Sequence, residues 1–164
     1  MLFVEKYFHY ILLTGTLSAL FSFIYTFYFD KKAYLTFKYY FFLGFLTGLL
    51  SSLISLGYSY FFNIKLLDFS EILPYWKIIA LDFALALVLS GNYFAFSLVV
   101  KRYYVLIFNV FFALLSILSV LIPITAQLPN IEFPEFYPTF AIPLHLIFSV
   151  IFLSLSSIII KDEN

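Results

Sequence analysis

Between Phe41 and Phe62 the chain runs for 22 residues without a charged side chain. As an α-helix rising 1.5 Å per residue, this stretch is about 33 Å long, enough to cross a bilayer core of roughly 30 Å. Backbone passing through lipid must satisfy its own hydrogen bonds, and for one isolated segment only a helix does so. Gly44, Gly48, Ser52, Ser55 and Ser59 follow one another at intervals of four, four, three and four residues. That spacing puts them on one helix face. Helices in lipid associate through close packing and interhelical hydrogen bonds, and small residues let their backbones approach. The stretch is expected to be the packing spine of an all-α membrane bundle.

Composition points the same way. The chain is 64% hydrophobic, 24% aromatic and 11% charged. A soluble domain carries about 25% charged residues, so this chain has too little polar surface to cover itself in water. Its formal net charge of zero gives no reason to expect a nucleic-acid partner. Cysteine is absent, which removes disulfides, thiolate metal sites, iron–sulfur ligation and cysteine nucleophiles together.

The apolar segments predict five spans within a single transmembrane domain covering residues 1–164, at about 7–29, 41–62, 76–100, 103–122 and 140–160. The first reads as a retained span and not a signal peptide. Glu5 and Lys6 precede it in place of a positive cluster, it is too long, and no small-x-small cleavage site follows. Asp30, Lys31, Lys32 and Lys38 suggest a short polar loop before the spine. After the spine, Asp68 and Glu71 have the spacing of an N-cap and its N3 partner, so a short interfacial helix is expected there, ended by Pro74. Tyr75, Trp76 and Lys77 form an interface anchor. Only Lys101 and Arg102 separate the third and fourth spans, which must form an antiparallel hairpin. The connection from Ile124 to Thr139 carries prolines at 129, 134 and 138, a spacing that favours extended backbone. Pro143 is placed in the first turn of the last span, where proline is tolerated.

Five spans put the termini on opposite sides. Lys31, Lys32, Lys38, Lys101, Arg102 and Lys161 fall on one side and Lys6, Lys65 and Lys77 on the other. The positive-inside rule then places the N-terminus outside and the C-terminus in the cytoplasm of a cell-membrane protein.

Asp82 is the acid inside a span, about 9 Å past Trp76. An acid at the centre of a membrane helix costs on the order of 2.5–3.5 kcal/mol, so it should face the bundle and suits proton or ion handling. It shares a face with Ala86, Ser90, Tyr93 and Ser97. The bland alternative is a hydrogen-bonded Asp that fixes helix packing through a Tyr, Ser or His. His9 and His145 lie near the starts of the first and last spans, about 3 Å and 7 Å below the same boundary. No cofactor is expected; the alternative is one haem b, whose axial ligation two imidazoles at similar depth would suit. Their bland reading is as interfacial histidines. Asn92 and Asn109 are expected to be interhelical hydrogen-bond donors. The Gly44–Gly48 pair is read as a packing surface within the bundle, with a homodimer face as the alternative. No GxSxG, P-loop, GxGxxG or metalloprotease spacing occurs, so no catalytic residue set is assigned.

The leading functional expectation is a small non-catalytic subunit of a larger membrane complex, of a respiratory or other electron-transfer kind. Its partners would be the lipid bilayer and other membrane subunits in a hetero-oligomer. The small chain, its Phe-rich surface and the proline–aromatic loop as a docking strap motivate this reading. The alternative is a transport component for protons or a small solute that uses Asp82. A third reading is a single-haem cytochrome b anchor using His9 and His145.

Overall fold

A computed structural model describes residues 31–100, 102–125 and 134–160 of the chain, with side chains from residue 37 onward. Every regular element among the described residues is helical. They are α1 (Lys31–Lys65), α2 (Tyr75–Val99), α3 (Tyr104–Ser119), α4 (Leu121–Thr125) and α5 (Tyr137–Ile159), with a single 3₁₀ turn, Pro134–Phe136, leading into α5. Four stretches are long and apolar enough to cross a membrane: Phe37–Lys65, Tyr75–Val99, Tyr104–Thr125 and Pro134–Ile159. The expected first span, 7–29, lies outside the described residues.

Helix α1 is 35 residues long, about 52 Å, and overruns the expected 41–62 at both ends. The polar loop expected near Lys31, Lys32 and Lys38 is helix from Lys31 on. The reason is intrinsic propensity. Lys, Ala and Leu are good helix formers, and charge marks where lipid ends without ending a helix. The connection after α1 departs from expectation in the other direction. Asp68 Oδ1 accepts the N–H of Ser70 at 2.8 Å, an Asx turn, and does not cap a helix at Glu71. Only Ile72 and Leu73 turn back to the carbonyl of Phe69. Burial decides this: Phe69 is 1% exposed, and Asn63 Oδ1 takes its backbone N–H at 3.2 Å. Pro74, extended at ψ 151°, then starts α2.

The α2–α3 hairpin is present as expected. Val100 caps α2 through its N–H to Phe96 O, and Tyr103 turns the chain in the left-handed region at φ 55°. The Arg102 guanidinium lies over the Tyr103 ring, 4.7 Å from its centroid. The segment before α5 differs from the extended strap that its prolines predict. Residues 126–133 lie outside the described residues, but Pro134 and Pro138 both sit in helical turns. Proline's fixed φ suits a helix start as well as an extended chain, and its missing N–H is an unneeded donor there. Pro143 lies inside α5 and not in its first turn.

The bundle is held by antiparallel neighbours. Helix α1 packs along both α2 and α5, while α3 packs on α5 and meets α2 next to the hairpin. Phe37 and Tyr40 meet Phe94, and Tyr40 also meets Tyr93. Tyr93 stacks on Phe108 of α3 with ring centroids 4.1 Å apart. Phe152 of α5, fully buried, touches Tyr93, Phe112 and Phe148. A second aromatic cluster of Phe62, Phe69 and Phe140 closes the opposite end. The outward faces of all four long helices are apolar: Phe41, Phe45 and Leu53 on α1, Leu81 and Leu87 on α2, Leu106, Phe111 and Leu114 on α3, and Val150 on α5 are exposed.

Candidate functional site

The site begins with how closely α1 approaches α2. A Cβ added at Gly44 would overlap Ser90 Oγ and lie 3.1 Å from the carbonyl oxygen of Ala86. One added at Gly48 would come within 2.8 Å of the Phe83 ring and 3.2 Å of its Cα. Both glycines therefore serve contact within the chain, where any side chain would separate the helices.

This close contact encloses polar groups. Ser52, Ser55 and Ser59 are buried, as their shared face implies. Two further residues belong with them and were missed in the sequence: Thr47 and Ser51, both fully buried. The signal was there. Thr47, Ser51, Ser55 and Ser59 recur at four-residue intervals. Choosing the face by the two glycines shifted it by one residue. From Thr47 to Ser59 the hydroxyls cover about 18 Å of helix axis.

Asp82 faces this row from α2. It is 8% exposed and lies against Ser55 and Ser51 of α1. Ala86, Ser90 and Tyr93, the neighbours expected on its face, are buried with it, while Ser97 is half-buried. The hydroxyls of Ser55 and Ser51 reach its carboxyl, while those of Thr47, Ser52 and Ser59 have no partner among the described residues. Serines in helices usually return their hydroxyl to a carbonyl one turn back. Ser90 does so to Leu87 O at 3.1 Å and Ser51 reaches Gly48 O at 3.4 Å. The row beside Asp82 instead turns hydroxyls toward the carboxyl in a low-dielectric setting, where an unpaired polar group is costly. Chemically, a carboxyl among hydroxyls can give, take and share protons, or offer hard oxygen ligands to a single positive charge.

The remaining candidates are placed separately. His145 is half-buried on α5, its carbonyl accepting Ser149 Oγ at 2.9 Å, whereas Asp82 is turned toward α1. His9, and with it the histidine pair, lies outside the described residues. Asn109 joins α3 to α5 by accepting Ser156 Oγ at 3.0 Å. Asn92 does not reach another helix: its amide donates to Val88 O on its own helix at 2.9 Å. No group of three His, Cys, Asp or Glu side chains with metal-binding proximity occurs among the described residues. No known family model, curated protein or solved structure matches the chain.

Proposed function

We propose that this chain is an integral membrane component that handles protons or a small cation at Asp82. The supporting observation is the burial of that acid inside the bundle, held against the hydroxyls of Ser51 and Ser55. An ionisable side chain inside an apolar helix that faces the bundle interior marks a proton or ion site by default. The proposal includes the five-span topology, with 7–29 as the first span, the N-terminus outside and the C-terminus in the cytoplasm. The test is uptake of protons, sodium and potassium into vesicles carrying the full chain. Asp82→Asn should abolish the uptake seen with the wild type, and unchanged uptake would remove the role of Asp82.

A second reading is a non-catalytic subunit of a larger membrane complex, of a respiratory or other electron-transfer kind. Gly57 favours it. This glycine lies on the exposed side of α1 beside Leu53, Tyr60 and Phe61, and a Cβ there would meet nothing within 4 Å among the described residues. Such a notch in a lipid-facing surface fits a helix of another subunit. Mild-detergent purification of the tagged chain tests it. Stoichiometric partners and a native mass far above 19.2 kDa are expected. A species of one or two chains would overturn this second reading.

A further inference from the structure

The two ends of the bundle differ in charge. At the end where the α2–α3 hairpin turns, α1 begins and α5 stops. Lys31, Lys32, Lys38 and Arg102 belong to this end, with no acid among its described residues. At the opposite end Lys65 and Lys77 stand with Asp68, Glu71 and Glu135. Adding Lys101, Lys161, Asp30, Asp162 and Glu163 from the sequence leaves the hairpin end positive, and Glu132 leaves the other negative. Helix α1 extends the positive end outward. From Tyr40, which packs on Tyr93 and Phe94, it continues for about 14 Å toward Lys31, while α2 has about 8 Å left to Val99. Its lysines thus reach the headgroup layer, which adds roughly 5–8 Å to each side of the hydrocarbon core.

Arg102 gives this charge a fixed point. Its guanidinium lies over the ring of Tyr103, and Nη2 donates to the Tyr103 hydroxyl at 2.9 Å. A guanidinium carries five N–H donors in a planar fork. The rest of the fork is without a partner among the described residues, and Arg102 is exposed. The ring-bound cation of the opposite end is different: Lys77 is half-buried beside Trp76 and turns back to Ile72 O at 3.5 Å. Directly beside Arg102 the surface becomes apolar. Val99 is 81% exposed, and Leu98, Leu106 and Ile107 are exposed with it, all within about a turn and a half of the hairpin. A held cationic fork bordering a lipid-facing surface matches a ligand with an anionic head and apolar tails. A free anion would use the fork alone.

We infer that the hairpin end of the bundle is a binding site for an anionic phospholipid, with Arg102 gripping the headgroup phosphate and the acyl chains lying along the exposed apolar residues beside it. Guanidinium and phosphate pair through two parallel hydrogen bonds, and Tyr103 keeps the fork oriented for them. Lys38 and the start of α1 add attraction that salt screens. The site is separate from Asp82 and does not depend on what Asp82 does.

The experiment titrates the full chain in detergent with phosphatidylglycerol or with phosphatidylcholine, and native mass spectrometry reads the affinity for the first lipid retained. The wild type should hold phosphatidylglycerol about fivefold more tightly, the equivalent of one cation beside an anionic headgroup. Arg102→Gln should bring the two lipids to near equality, and Lys65→Gln at the other end should leave the preference intact. Arg102→Lys keeps the charge but loses the fork, and should fall between wild type and Arg102→Gln. Equal affinity of the wild type for both lipids would overturn the site, as would an unchanged preference in Arg102→Gln. Equal losses in Arg102→Gln and Lys65→Gln would make the effect one of diffuse charge and overturn it too. Arg102→Lys at the wild-type value would overturn the part given to the fork. Ammonium phosphate and ammonium acetate at equal ionic strength should weaken binding equally. Stronger competition by phosphate would make a free anion the ligand and overturn the lipid. Helicity and elution volume of each variant separate these effects from misfolding.

Discussion

Single residues in this chain repair the problems that other single residues create. Pro143 has no N–H and leaves the carbonyl four residues earlier, on Thr139, without its helical donor. Tyr58 of α1 supplies it: its hydroxyl donates to Thr139 O at 3.0 Å. Tyr58→Phe should therefore destabilise the bundle by about 1 kcal/mol, the net worth of one exposed hydrogen bond. With Pro143→Ala the N–H of residue 143 can take over, and the same Tyr58→Phe change should then cost about 1 kcal/mol less. A double-mutant cycle of unfolding in mixed micelles checks both; additive losses would separate the two residues. Asp68 offers a test in water. The backbone N–H of Ser70 holds its carboxyl below the usual range. Its folded value is thus lower than its unfolded one, so its stabilising effect is present above the unfolded value and disappears as pH falls through the folded one. The wild type should lose slightly more thermal stability than Asp68→Ala between about pH 6 and pH 3, the loss being small because the group is solvent-screened.

Among the elements, α1 was the most legible in the sequence and also the one whose ends were least so. Its long uncharged run and its small-residue spacing both follow from what lipid demands of a helix. Its true ends do not, because lipid sets where apolar residues must stop and sets nothing about where helical hydrogen bonding stops. The turn at 66–73 was misjudged for a related reason: Asp68 and Glu71 have cap spacing, but Phe69 is drawn into the cluster with Phe62 and Phe140, a long-range contact that local spacing does not encode. The two sides of α1 should respond oppositely to the same substitution. Gly44→Ala forces a methyl against Ser90 and should cost about 1–3 kcal/mol. Gly57→Ala meets nothing and should leave stability unchanged or raise it by up to about 1 kcal/mol through helix propensity. Equal losses at both positions, measured by unfolding in detergent, would mean that Gly57 is not on an open face.

At the level of the whole molecule, the bundle is tied together by aromatic side chains that reach across three helices. Phe152 meets Tyr93 of α2 and Phe112 of α3, so its removal should loosen all three contacts. Lipid solvates an exposed Phe well, so only the cavity and lost-contact part of the usual penalty applies, and Phe152→Ala should cost roughly 2 kcal/mol. Unfolding in micelles would show this, and a loss no larger than that of a lipid-facing change such as Leu114→Ala would place the core elsewhere. Asp82 could be singled out in advance because a charge stands out against apolar sequence. The full set of hydroxyls around it could not be identified, because Thr47 and Ser51 are ordinary in composition and become part of the site only through how α1 rotates against α2. The bond from Tyr58 to Thr139 spans 81 positions of sequence, and its donor comes first. As the chain is made from its N-terminus, Tyr58 of α1 is synthesised before the proline helix whose carbonyl it covers. The order of synthesis thus matches the order of need. A rearranged chain in which α5 preceded α1 would leave that carbonyl without its donor until α1 followed, and its proline helix should settle only then.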